Sequence, residues 1–170
     1  MTMPDKLEVL RKILDDYGFP PAASDFIISL YRLADIIDDI EDGDNPNLDT
    51  KDLPRLLFSK CLTNNFYLAN SATLLPVIKS MYRTWQFATD VEKSEDRWAS
   101  NWLDTTYELK NCCFLLAPII AEMVFWPNQD AEMEKKLEAF NREWIIMTRN
   151  YESLEYYKEK VTAKSRPDKK

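Results

Sequence analysis

Histidine is absent from this 170-residue chain. That absence excludes Ser-His-Asp and Cys-His nucleophilic catalysis, HD-type phosphohydrolases, and zinc sites built on imidazole. Glycine is nearly absent: Gly18 and Gly43 stand alone. So few glycines argue against sheets joined by tight hairpins and against Gly-rich phosphate loops. Cys61, Cys112 and Cys113 are odd in number and two are adjacent. No disulfide framework is expected, and a reducing cytoplasm is the default. No charge-free apolar run reaches about 18 residues, so no membrane span is expected. Met1-Thr2-Met3-Pro4-Asp5 has neither the basic nor the apolar region of a signal peptide. Positive charge is also in deficit, and a net charge of −7 argues against generic nucleic-acid binding.

What remains is a chain that is 45% apolar and 30% charged, long enough for one domain with a sizeable core. Its periodicity is helical throughout. Leu7, Leu10, Ile13, Leu14 and Tyr17 form the stripe of a first helix that starts at Pro4 and exits at Gly18. Pro20-Pro21 opens a second, over 22–42, and Asn45-Pro46-Asn47 marks a turn after it. A third helix is expected from Asp52-Leu53-Pro54 to Thr63. A fourth covers 71–90, with Leu74, Leu75, Ile78, Met81, Tyr82 and Trp85 inward and a short helical turn, 66–70, before it.

The fifth helix is capped by Ser94-Glu95-Asp96, reaches Phe125 and is kinked by Pro118. Its core stripe is Trp98, Trp102, Thr105, Leu109, Cys112 and Leu116. The sixth begins at Asp130 and carries Met133, Leu137, Phe140, Trp144, Met147, Tyr151 and Leu154 at alternating steps of four and three, the a/d seam of a helix packed lengthwise in a bundle. The expected architecture is all-α: a single helical bundle of about six helices with a long C-terminal helix. Residues 1–161 form the domain, and 162–170 form a disordered basic tail.

Chemistry concentrates in Asp35-Ile36-Ile37-Asp38-Asp39-Ile40-Glu41-Asp42-Gly43-Asp44. On a helical wheel Asp35, Asp38, Asp39 and Asp42 share one arc, opposite Leu33, Ile36, Ile37 and Ile40. One turn earlier the acidic arc is continued by the apolar Ile28 and Tyr31. The helix therefore reads as buried all round at its start and acidic on one side at its end, like the mouth of a cavity. Carboxylates in a last turn face the negative end of the macrodipole and repel one another at helical spacing, each effect costing a few tenths of a kcal/mol to about 1 kcal/mol. Solvent, a basic partner or a cation must offset that cost. Mg²⁺, which takes oxygen ligands and keeps several waters, suits two or three carboxylates one turn apart. On the fifth helix Asp104, Glu108 and Asn111 follow at i, i+4 and i+7, and two helices carrying oxygen ligands are the usual way a bundle builds a metal site. The candidate metal ligands are therefore Asp35, Asp38, Asp39, Asp42, Asp104 and Glu108. The competing reading is a solvated acidic patch that marks a helix exit, with the fifth-helix residues bonded to Lys110 or Arg97.

Asp38-Asp39-Ile40-Glu41-Asp42 resembles the aspartate-rich motif of class I isoprenoid synthases, which holds Mg²⁺ against a substrate diphosphate in an all-α fold. Asp96, Ser100 and Asp104 approximate that family's second motif, with Asp for Glu; no Arg-Arg pair follows the first. Over residues 30–125, Asp38-Asp39-Ile40-Glu41-Asp42-Gly43-Asp44 and Asn65-Phe66-Tyr67, followed by a Leu-Leu-Pro helix, resemble small uncharacterised proteins of tailed bacteriophages. The proline before Phe66 and the histidines of that group are missing. Asp35-x-x-Asp38 and Asp39-x-x-Asp42 also resemble the Glu-x-x-Glu pairs of all-α nucleotide pyrophosphatases.

These likenesses imply a phage-encoded cytoplasmic accessory protein. In one reading a carboxylate-lined groove binds Mg²⁺ and a phosphorylated small molecule, a nucleotide or a diphosphate. In the other the protein is non-catalytic and binds a host or virion protein, and Trp126, Tyr156 and Tyr157 supply an exposed aromatic patch. A homodimer is compatible with either; nucleic acid and membrane are not expected partners.

Overall fold

The computed structural model describes residues 3–43, 51–93, 100–126, 130–149 and 153–164, and among them every regular element is a helix. The chain is an all-α bundle, as its periodicity predicts. In order the helices are α1 (Met3–Asp16), α2 (Pro21–Asp42), α3 (Asp52–Leu56), α4 (Asn65–Lys93), α5 (Ser100–Lys110), α6 (Leu116–Phe125), α7 (Ala131–Arg149) and α8 (Leu154–Lys164). A π-helical turn, Leu57–Cys61, extends α3, and a 3₁₀ turn, Asn111–Leu115, joins α5 to α6. No helix among the described residues is long and apolar enough to cross a membrane.

The helix ends follow from local chemistry. Pro21 sits at the first position of α2, where a missing N–H costs nothing. Asn64 caps α4: its Oδ1 accepts from the Phe66 and Tyr67 amides at 2.8 and 3.2 Å. Its Nδ2 donates to the Ala22 carbonyl at 2.9 Å, pinning that cap to the start of α2. Asp130 caps α7 through the Glu132 and Met133 amides. Gly43 ends α2 in the left-handed conformation, φ +67°, and its amide bonds back to the Asp39 carbonyl.

α2 lies at the centre, touching α1, α3, α4 and α6. Its first half buries Ala23, Ser24, Phe26, Ile27, Ile28 and Tyr31, but Asp25 and Arg32 are exposed on its remaining side, so the burial all round expected there is corrected to burial on most of the helix. Leu10 and Leu14 of α1, Leu74 of α4, Leu116 and Ile120 of α6, and Phe140 and Trp144 of α7 close the core around it. Pro118 shapes this centre from a distance. Having no N–H, it leaves the carbonyl four residues back, that of Phe114, without its helical donor. The Trp144 Nε1 of α7 and the Tyr31 hydroxyl of α2 donate to that oxygen instead, at 2.9 and 3.2 Å. The predicted kink thus appears as a 3₁₀ stretch one turn upstream of the proline, at Asn111–Leu115.

Several expectations are corrected. The short turn at 66–70 and the fourth helix are one continuous α4, with Pro76 inside it and exposed. Of the residues expected inward on α4, Leu75 and Tyr82 are exposed, because α4 packs on α2 and α5 through the adjacent arc, led by the buried Leu74 and Ala88. Trp102 and Thr105 are likewise exposed on α5. The seam read as one C-terminal helix divides: α7 ends at Arg149, Ser153 is non-helical and Leu154 opens α8, while Tyr151 lies outside the described residues. The break at Ser153 is a capping break, since its Oγ accepts from the Tyr156 amide at 3.2 Å. Helical structure also runs through Lys164, past the boundary expected at residue 161. The Ser94-Glu95-Asp96 cap, Arg97, Trp98 and the 165–170 tail lie outside the described residues.

Candidate functional site

The last two turns of α2 carry their carboxylates toward α4, α5 and α8. What meets them is a lysine. Lys110, at the end of α5, has a side chain only 10% exposed, and its Nζ lies 2.9 Å from Glu92 Oε2, 3.3 Å from Asp38 Oδ1 and 3.6 Å from Asp42 Oδ1. Glu92 and Asp42 are themselves 10% and 12% exposed. The cluster extends outward from this ammonium group. Trp85 Nε1 donates to Asp38 Oδ1 at 3.2 Å. The Tyr157 hydroxyl of α8 donates to the Glu92 carboxylate and lies 3.0 Å from Thr106 Oγ1. Lys160 of α8 reaches Asp42 Oδ2 at 3.5 Å, and Lys93 pairs with Glu41 at 2.9 Å. Burial alone would lower the pKa of Lys110, but Asp38, Glu92 and Asp42 more than reverse this and raise it above its ordinary value. The lysine is therefore a fixed positive charge at neutral pH, and four helices are tied to it.

Asp35, one turn earlier, is half-buried. Burial, reinforced by the neighbouring Asp39 and Asp38 and opposed by Lys6 and Lys160, pushes its pKa up to about 6.

The six predicted ligands do not converge. Asp38 and Asp42 meet at Lys110. Asp104 and Glu108 are exposed on α5 and pair with C-terminal cations instead: Asp104 with Lys158, and Glu108 with Arg149 Nη2 at 2.9 Å. Asn111 donates to the Tyr107 carbonyl within its own helix. Among the described residues, no three Asp, Glu, Cys or His side chains are grouped as a metal ion requires.

Sequence reasoning set Lys110 against the acids of α5 rather than those of α2, took Trp85 only as an inward residue, and missed Glu92 and Lys160, yet the signal for Lys110 and Glu92 was present. Leu103, Thr106, Lys110, Cys113 and Ala117 step by three and four, as do Ile78, Met81, Trp85, Ala88 and Glu92. A lysine within one such row and a glutamate at the end of the other, on neighbouring helices, are candidates for a buried pair. Tyr157, expected in an exposed patch, is buried as a spacer between α8 and Thr106, whereas Trp126 and Tyr156 are exposed as expected.

The three thiols are free. Burial raises the Cys61 pKa to about 11 and that of Cys113 to about 12, and it also raises Cys112, so each stays a protonated thiol and none is an activated nucleophile. Comparison with protein-family models, curated proteins and solved structures finds no match to the chain.

Proposed function

We propose that this chain is a non-catalytic interaction protein whose aspartate-rich motif is an internal ion-pair clasp. The observation that carries the reading is Lys110. Its ammonium fills the position among Asp38, Asp42 and Glu92 that a hydrated cation would need. The repulsion of a carboxylate-rich helix end is thereby offset from within the fold. On the resemblance to tailed-phage proteins, the partner would be a host or virion protein. Large apolar side chains on the surface, among them Phe58, Leu68, Leu75 and Trp126, supply contact area for it.

A second reading keeps Mg²⁺ and a phosphorylated small molecule on Asp35, Asp38, Asp39 and Asp42. The observation in its favour is Asp35, a carboxyl with a pKa raised to about 6 beside two further aspartates.

Thermal melting with and without millimolar Mg²⁺ or Mn²⁺ separates the two. A ligand that binds only the native state raises the melting temperature. The clasp reading expects no rise in the wild type, and Asp39→Asn melts within about 1 kcal/mol of it. A metal-dependent rise that disappears in Asp39→Asn would overturn the clasp and favour the second reading.

A further inference from the structure

The outward face of α4 is built as a seam that no described residue covers. Leu68, Leu75 and Tyr82 recur at steps of seven and are 56%, 54% and 48% exposed. Ala72, Lys79 and Gln86, also exposed, fill the positions four residues after each. Together they form an a/d row of about five turns, roughly 27 Å long. The Gln86 amide donates to the Tyr82 hydroxyl at 2.9 Å and fixes the end of the row. The charge of this face is equally distinctive. Between Asn65 and Thr89 its only charged residues are Lys79, in the middle of the row, and Arg83 at its edge, in a chain of net charge −7. Among the described residues neither takes part in an ion pair, a condition they share with Lys60, Lys135 and Arg142, and these two stand along an exposed apolar row.

Resting on the interaction reading above, we infer that this face docks an acidic amphipathic helix of the partner. That helix lays an apolar stripe along Leu68, Leu75 and Tyr82 and sets a carboxylate against Lys79 and another against Arg83. A lysine inside an a/d row costs stability unless an acid meets it, and for that reason it fixes register and partner. A second copy of this chain fits less well. An antiparallel pair of α4 helices centred on Leu75 brings Tyr82 onto Leu68 of its mate, but it sets Lys79 beside Ser71 and Ala72 and Arg83 beside Tyr67. Both cations stay unmatched, and two bodies of charge −7 are brought together.

The test uses the full chain and two labelled 21-residue helical peptides that share one leucine a/d row. One is flanked by glutamates and the other by lysines. Fluorescence anisotropy should show the glutamate peptide binding at least tenfold tighter than the lysine peptide, with the gap shrinking at high salt. The double variant Lys79→Glu/Arg83→Glu should reverse the preference. Leu75→Asp should weaken binding of the glutamate peptide at least tenfold while circular dichroism and melting stay those of the wild type; a Leu75→Ser variant serves if it does not fold. A preference absent in the wild type, or unmoved by the charge reversal, overturns the assignment. So does self-association in sedimentation that Leu75→Asp abolishes, which would make the occupant a second copy. Either failure, with melting still indifferent to Mg²⁺, leaves the interaction reading on other surfaces; metal-dependent melting lost in Asp39→Asn removes the reading itself.

Discussion

Replacing Lys110 with methionine isolates the charge at the centre of the clasp. Methionine keeps an unbranched stem of similar length, so packing between α5 and α2 is largely retained and the ammonium is lost. Glu92 and Asp42, each about a tenth exposed, are then left facing each other with Asp38 close by. Removing one partner of a buried ion pair costs about 3–5 kcal/mol, because the remaining charge has lost both water and its counter-ion. The lower end applies, since Lys160 still reaches Asp42, Tyr157 still donates to Glu92, and Asp38 is more than a third exposed. A loss of about 3 kcal/mol is a large share of a stability of roughly 5–15 kcal/mol and lowers the melting temperature by about 6–12 °C in a domain of this size. Urea unfolding followed by tryptophan fluorescence at pH 7 and pH 4 measures it. The deficit should shrink at pH 4, where protonation relieves the stranded carboxylates. Lys110→Met/Glu92→Gln should recover part of the loss at pH 7. A deficit below about 1 kcal/mol, unchanged between the two pH values, would mean that solvent already screens the lysine and that the clasp holds nothing together.

Asp35 gives the opposite sign. Its folded pKa, raised to about 6, means the native state holds this proton more tightly than the unfolded chain, so its contribution to stability falls as pH rises from about 4 to about 6. Asp35→Asn should stabilise the protein at pH 7 by on the order of 1 kcal/mol, discounted for solvent that still reaches the group, and the gain should be gone at pH 4 in parallel melts. Gly43→Ala should cost about 1 kcal/mol: an added Cβ meets no atom within 4 Å, so the whole loss is the left-handed backbone at φ +67°, and it should appear unchanged at all salt concentrations. Tyr31→Phe removes one of two donors to the Phe114 carbonyl and should cost about 0.5–1.5 kcal/mol by urea titration, since Trp144 still satisfies that oxygen.

The helices were legible because prolines, glycines and 3.6-residue stripes agree with one another along the chain. Gly18 and Gly43 end helices in the left-handed conformation, as their positions require. α2 is mostly buried and then turns acidic, as the switch from Tyr31 to Asp35 indicates, though the exposed Asp25 and Arg32 give its start a solvent side that the pattern did not declare. The site was legible only on one side. Carboxylate spacing on α2 and α5 says which side chains share a face, but not which way α5 is rotated against α2. That rotation is set by tertiary packing of Thr106, Cys112 and Leu116, and it brings Lys110 to the acids and turns Asp104 and Glu108 outward. The same limit explains Leu75 and Tyr82. A helix apolar on two arcs does not declare which arc its neighbours will take.

The Phe114 oxygen, whose helical donor Pro118 removes, joins parts of the chain that lie far apart in sequence. Tyr31 lies 83 residues before Phe114 in sequence and Trp144 lies 30 after it, and both donate to one acceptor. If either helix swings away, the carbonyl loses a donor inside the core, so α2, α6 and α7 should open as a single unit. α8, with Tyr157 as the one buried side chain among its described residues and with Lys158 and Lys160 as further anchors, makes no described bond to that atom. In amide hydrogen exchange the two regions should therefore separate by timescale. The amides of α8 should exchange through a local, salt-sensitive detachment, and those of α2 and α7 only when the whole bundle unfolds.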